Sequence, residues 1–280
     1  MSKEQASTAT SKPRGRVLVI AGSDSGGGAG IQGDIKTVTC LGGYATTAIT
    51  ALTAQNTQGV FGIHDVDEDF IRQQITVVMN DIGTDAFKTG MLHKASVVHE
   101  VASCIAPYAN LKPLVLDPVM FAKGGAPLLQ SDALLALQER LVPIAALVTP
   151  NIPEAEYLCG MTITSIDDMK DAANDILKSG CKAVLVKGGH LDSGKSVTDV
   201  LVTKKSYEVF KQPRINSLHT HGTGCTLASA IAVSLAQGMS LSDAIKRARA
   251  YVLKAIQHAP HLGKKHGPLG HGHTVKSFSG

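Results

Sequence analysis

The chain has 280 residues, 44% of them hydrophobic and 18% charged, a balance that excludes a disordered, collagen-like or coiled-coil protein. It holds no run of about 18 uncharged apolar residues, so no membrane partner is expected. Its 27 Lys and Arg against 23 Asp and Glu leave a net charge of +4, scattered rather than gathered in a stripe, which speaks against nucleic acid and suits a small anionic ligand.

Residues 1–15 lack the apolar stretch of a secretory signal and are expected to form a disordered tail. Residues 16–280 are expected to form a single domain, because no repeat and no proline-rich or charge-rich linker divides them. Cys40, Cys104, Cys159, Cys181 and Cys225 are odd in number and contain no Cys-x-x-Cys pair. That argues against a disulfide framework and a zinc site and points to the reducing cytoplasm.

In chain order, 16–22, 44–53, 59–66, 85–92, 114–120, 146–151 and 181–189 read as β-branched strands, with helical periodicity between most of them. Such alternation predicts an α/β fold: a mainly parallel sheet, helices on both faces, and ligands at the carboxyl ends of the strands. Segments 197–203 and 206–215, joined by a lysine turn, predict an antiparallel hairpin at the sheet edge. Ser131-Asp132 is positioned to cap a helix over 133–141, and Ser165-x-x-Asp168 has the form of a capping box before a helix ending at Gly180. The Gly-rich segment 121–129 (FAKGGAPLL) is either a small flap over a site or a plain connection.

Gly28-Ala-Gly30-Ile-Gln-Gly33 matches the dinucleotide fingerprint, yet no acid lies between Asp34 and Asp65 to hold a ribose, which weakens an NAD-dependent reading. Gly189-x-x-x-x-Gly194-Lys195-Ser196 matches a P-loop, but Ser196 leads into a strand pattern where a phosphate-binding helix should begin. His221-Gly222-Thr223-Gly224-Cys225 runs into a helix of small and apolar residues. Its glycines let backbone N–H groups converge on an anion, and a thiol at that helix start is expected to have its pKa lowered toward neutrality. A glycine turn with an inert buried thiol fits the same residues. Asp34, three residues after Ile31 on a helix with the stripe Ile31, Ile35, Val38 and Leu41, is expected to face inward and so to need a partner, ligand or backbone. Gln55, at the end of an apolar segment, offers an amide donor beside an amide acceptor.

Taken together, 21–34 (AGSDSGGGAGIQGD), 49–57 (ITALTAQNT), 88–92 (KTGML), 149–154 (TPNIPE), 187–190 (KGGH) and 221–225 (HGTGC) resemble the hydroxymethylpyrimidine and phosphomethylpyrimidine kinases of thiamin biosynthesis, a branch of the ribokinase superfamily. The resemblance covers about residues 16 to 270, so no fused thiamin-pathway domain is expected. It implies an α/β kinase using ATP and Mg2+ to phosphorylate 4-amino-5-hydroxymethyl-2-methylpyrimidine to its monophosphate and then to the pyrophosphate. It further implies a homodimer.

Carried over residue by residue, the resemblance places Gln55, Asp34, Gly22, Met91 and Val119 around the pyrimidine; without it, Met91 and Val119 would be core residues. It places Gly222, Thr223, Gly224, Cys225 and Lys187 at the transferring phosphoryl group. Asp117, Asn151 and Glu154 fall near nucleotide and magnesium, Glu154 through water. Cys225 stands where most of the superfamily has an aspartate base, so it either accepts the alcohol proton or orients the hydroxyl. Pyridoxal kinase, a non-catalytic pyrimidine sensor and an NAD-dependent oxidoreductase are the rival readings. His258, His261, His266, His271 and His273 follow no metal-ligand spacing and are expected to be solvated.

Overall fold

The computed structural model describes residues 15–125, 127–191 and 194–276; the expected tail therefore lies almost wholly outside the described residues. The strands are β1 (Arg16–Asp24), β2 (Tyr44–Asn56), β3 (Gly59–Asp65), β4 (Ala86–Thr89), β5 (Leu114–Leu116), β6 (Leu147–Val148), β7 (Ala183–Lys187), β8 (Ser196–Thr203) and β9 (Tyr207–Pro213). The helices are α1 (Gly30–Cys40), α2 (Glu68–Asp81), α3 (Ala95–Ile105), α4 (Ser131–Ala136), α5 (Ile152–Cys159), α6 (Ile166–Leu177), α7 (Thr223–Ala236) and α8 (Leu241–Gln257).

Among the described residues the strands form one nine-stranded sheet in the order β3-β2-β1-β4-β5-β6-β7-β8-β9. From β2 to β7 neighbouring strands run parallel, and both edges are antiparallel. Period-two alternation splits each buried strand between two cores. Leu18 and Ile20 pack with Phe87, Leu114, Leu116 and Val184 under α2 to α6, whereas Val17, Val19 and Ala21 pack with Val115, Leu147 and Leu185 under α1, α7 and α8.

The chain leaves β1 toward β2 on one side and later returns to β4 on the other, so β1 and β4 flank a topological switch point. The crevice outside the carboxyl ends of such strands is where an α/β sheet binds ligands.

Several expectations need correction. Segment 59–66 is not a parallel strand: β3 returns directly along β2 as a hairpin, because the two residues between Asn56 and Gly59 cannot make a parallel crossover. Helix α4 begins at Ser131 with Gln130 before it and no side-chain cap, and the helical path tightens and widens through 137–144. The Ser165–Asp168 capping box is present, but its helix stops at Leu177; Gly180 sits beyond the end with a left-handed φ of +108°. His271 is buried beside Tyr251, whose hydroxyl lies 3.1 Å from Nδ1, and burial lowers its pKa to about 4. The P-loop match ends in β8, as its sequence context required. No helix among the described residues is long and apolar enough to cross a membrane.

Candidate active site

A small cleft, open to solvent at its mouth, lies over the switch point. It is lined by Gly22 and Asp24 from β1, Gln55 from β2, Lys88 from β4, Met91 and Val119 from the loops after β4 and β5, and Cys225 from α7. Met91, Val119 and Leu128 belong to one small apolar cluster with Ala51. Segment 121–129 thus packs through Leu128 behind two residues of the cleft wall without lining the cleft itself: Phe121 bridges Pro127, and the amides of Leu128 and Leu129 bond the Met120 carbonyl. At Gly22 the backbone amide bonds the Met91 carbonyl at 3.1 Å, and an added Cβ would lie 3.1 Å from the Met91 sulfur, so a larger residue would push Met91 into the cleft.

Asp34 is not on the cleft surface. It is fully buried, its two oxygens accept from Lys88 Nζ at 2.9 and 2.8 Å, and Ser229 Oγ donates to it at 2.6 Å. The partner its burial demanded is a lysine of the same chain, which corrects the expectation that Asp34 holds the pyrimidine. Burial works against the Lys88 ammonium, but the carboxylates of Asp34 and Asp117 outweigh it and raise its pKa. It is Lys88 that reaches the cleft wall, and no role was read for it from sequence. A charged residue inside the apolar strand Ala86-Phe87-Lys88-Thr89 was the signal that it must be paired.

Asp24 and His221 were also given no role. Asp24 accepts from the amides of Gly26, Gly28 and Ala29 at 2.8, 3.1 and 2.8 Å, and lies 2.8 Å from His221 Nε2. Burial raises its pKa, yet His221 and these amides outweigh that and hold the carboxyl below its usual range. A carboxylate thus already occupies the amides that a dinucleotide phosphate would need, which removes the NAD reading of the glycine fingerprint.

Next to this cleft the glycine nest opens α7. Gly222 adopts φ +83°, and an added Cβ would fall 1.9 Å from the Gly28 carbonyl, so only glycine fits. Thr223 spends its amide on the Thr220 carbonyl and Thr226 on Gly222. Gly224 and Cys225 are left as first-turn amides without a partner among the described residues, so the anion-facing donors are fewer than the whole motif.

An added Cβ at Gly224 would meet Lys187 Nζ at 3.3 Å and Asp117 Oδ2 at 3.8 Å, which brings the second cluster against the nest. Lys187 is not an exposed strand end: its Nζ bonds Asp117 Oδ1 at 3.0 Å and lies 3.9 Å from Glu154 Oε2. Asn151 and Glu154 form a capping box on α5, each side chain bonding the other's backbone amide at 2.9 and 2.8 Å. Their spacing therefore has a folding role as well as a place beside Lys187. Burial pushes the Glu154 carboxyl up to about 7, Asp117 adds to this, and Lys187 opposes it.

The Cys225 thiol departs from expectation. Burial pushes it up to about 12; Lys88 and the Gly30 amide oppose this while Asp34 and Asp117 add to it. The helix start does not overcome desolvation, so the resting group is a neutral thiol. No three His, Cys, Asp or Glu side chains among the described residues form a ready metal cage.

A phosphomethylpyrimidine kinase family model matches residues 24–270. The chain belongs to this family. It is 52% identical over 259 residues to the thiamine biosynthesis bifunctional protein ThiED of Geobacter sulfurreducens, covering 92% of this chain and spanning 52% of that longer protein. It is 46% identical over 256 residues to the hydroxymethylpyrimidine/phosphomethylpyrimidine kinase of Bacillus subtilis, covering 91% of this chain and 94% of the relative. Among solved structures, an ADP complex of Bacillus subtilis pyridoxal kinase matches with a TM-score of 0.85 and 37% identity, over 92% of this chain and 98% of that one. The nest and the Lys187 cluster lie inside the span that the family model matches, as does the cleft apart from its β1 residues 21–23.

Proposed function

We propose that the protein uses MgATP to phosphorylate 4-amino-5-hydroxymethyl-2-methylpyrimidine on its alcohol, and then the monophosphate to the pyrophosphate. One observation carries this reading: Cys225 belongs at once to the cleft that holds Gln55 and to the helix start packed against Lys187 and Asp117. A ring held by Gln55 would put its hydroxymethyl group beside the anion-binding amides.

In this mechanism Gln55 pairs with the aminopyrimidine edge, while Met91 and Val119 enclose the ring and Gly22 leaves room for it. Cys225 orients the hydroxyl as a neutral thiol, and the proton passes to a phosphate oxygen. The transition state spreads charge over phosphoryl oxygens, so the work is positioning and neutralisation. The Gly224 and Cys225 amides and Lys187 supply donors. Asp117 and Glu154 are hard oxygen donors suited to magnesium, which would arrive with the nucleotide and keep water in its shell. When bound, it neutralises phosphate charge.

The reading is tested at Gln55. Gln55→Ala is expected to raise KM for the pyrimidine by roughly 10- to 100-fold, with KM for ATP within about threefold, in steady-state assays. Equal effects on both substrates would count against the assignment. Glu154 supplies a pH test. Its proton is held up to about pH 7, and magnesium favours the ionised form, so KM for MgATP is expected to fall as pH rises from about 6 to about 8. Glu154→Gln is expected to flatten that dependence.

Buried charges such as Lys187, Asp117 and Glu154 are costly to fold, which a non-catalytic sensor would have no need to bear. Pyridoxal, another hydroxymethyl heterocycle, is the rival substrate favoured by the similarity to a pyridoxal kinase. A single domain over 16–280, a cytoplasmic location and a homodimer belong to the same proposal. The exposed Leu52 and Phe61 on the β2–β3 edge hairpin support the dimer.

A further inference from the structure

The Gln55 side chain lies between Thr53 and His221, with Oε1 3.2 Å from Thr53 Oγ1 and Nε2 3.4 Å from His221 Nε2. The Thr53 hydroxyl has a single proton, and the Ser23 carbonyl at 2.9 Å can only accept it. Thr53 therefore meets Gln55 with a lone pair, which calls for an amide N–H.

The other side leads to the same answer. Asp24 is ionised, because three backbone amides already donate to it. An ionised carboxylate only accepts, so His221 Nε2, 2.8 Å away, must carry a proton and donate it. Gln55 Nε2 then confronts a second N–H. A half-turn of the amide about its last bond relieves both: its NH2 turns to the Thr53 lone pair, and its oxygen, in place of a second N–H, faces the His221 Nε2 proton that it shares with Asp24.

We propose that Asp24, His221 and Thr53 are positioning residues that fix the sense of the Gln55 amide and thereby select the order of donor and acceptor on the substrate ring. Asp24 sets the His221 proton, His221 sets the amide oxygen, and Thr53, committed to Ser23, sets the NH2. One lone pair and one N–H of Gln55 remain for the ring, in a fixed order. A 4-aminopyrimidine presents an exocyclic N–H beside a bare ring nitrogen. Its 4-oxo counterpart presents an acceptor beside a ring N–H, the reverse order, and leaves the locked amide with two mismatched contacts.

This inference rests on the proposed reading, since it takes Gln55 as the group that meets the ring. The test compares kcat/KM for the 4-amino and 4-oxo hydroxymethylpyrimidines in the wild type and in His221→Phe. The variant keeps a ring in place, leaves Asp24 its three amides, and frees Gln55 to turn. The preference for the amino ring is expected to fall by at least about tenfold, through a higher KM for the amino compound more than a lower kcat. A preference unchanged within about twofold, at any overall activity, would overturn the relay.

A second readout needs no turnover. Long-range 1H–15N spectra of the 15N-histidine-labelled protein are expected to show a proton on Nε2 of His221, identified by its loss in His221→Asn. A proton on Nδ1 alone would overturn the relay even if the pyrimidine is a substrate. If the wild type phosphorylates neither pyrimidine while Nε2 is protonated, the functional reading fails and the hydrogen-bond order stands.

Discussion

Cys225→Ala is expected to lower kcat by about 100-fold while KM for the pyrimidine changes less than about threefold, in steady-state assays. The side chain sits where the cleft and the nest meet, so its loss should be felt at the reacting hydroxyl rather than in ring binding. Its thiol is pushed up to about 12, so the wild-type rate should show no inflection near neutral pH that disappears in the alanine variant. Cys225→Ser, which keeps a small hydroxyl donor and acceptor, is expected to retain most of the rate. Alkylation by iodoacetamide at neutral pH is expected to be slower than for a free cysteine, because the thiolate is the nucleophile. An alanine variant within about threefold of wild-type kcat would remove Cys225 from the mechanism.

The largest expected loss of stability is at Asp34. Its substitution by alanine leaves the fully buried Lys88 ammonium without its principal counter-charge and leaves Ser229 Oγ without its acceptor. Breaking a buried pair from one side costs about 3–5 kcal/mol. Urea unfolding should show that loss as a lower midpoint. The double variant Asp34→Leu with Lys88→Met should recover part of it, since replacing both charges avoids an unpaired one. A single-variant loss below about 1 kcal/mol would mean that solvent or another carboxylate neutralises Lys88.

The fold was largely legible in the sequence because strands buried on both faces read as β-branched runs, and each of the nine lies within or against such a segment. The β2–β3 hairpin was missed because Gln55 and Asn56 look like loop residues, although both continue the strand. At the site, the glycine motif announced itself through residue types that only a close backbone approach requires, and Gly222 against Gly28 is such an approach. Pairings between distant segments were not legible. Inward periodicity showed that Asp34 needs a partner, but not that the partner is Lys88, 54 residues away. The environment of Cys225 was misjudged for the same reason. Position at a helix start is local, whereas the desolvation and the acids that raise its pKa come from elements far away in sequence.

Mass spectrometry of the products formed from MgATP with either hydroxymethylpyrimidine or pyridoxal tests the central claim most directly. The account predicts pyrimidine monophosphate followed by pyrophosphate, both diminished in Gln55→Ala and Cys225→Ala. Pyridoxal phosphate with no pyrimidine product, or no phosphorylated product from either compound, would contradict it.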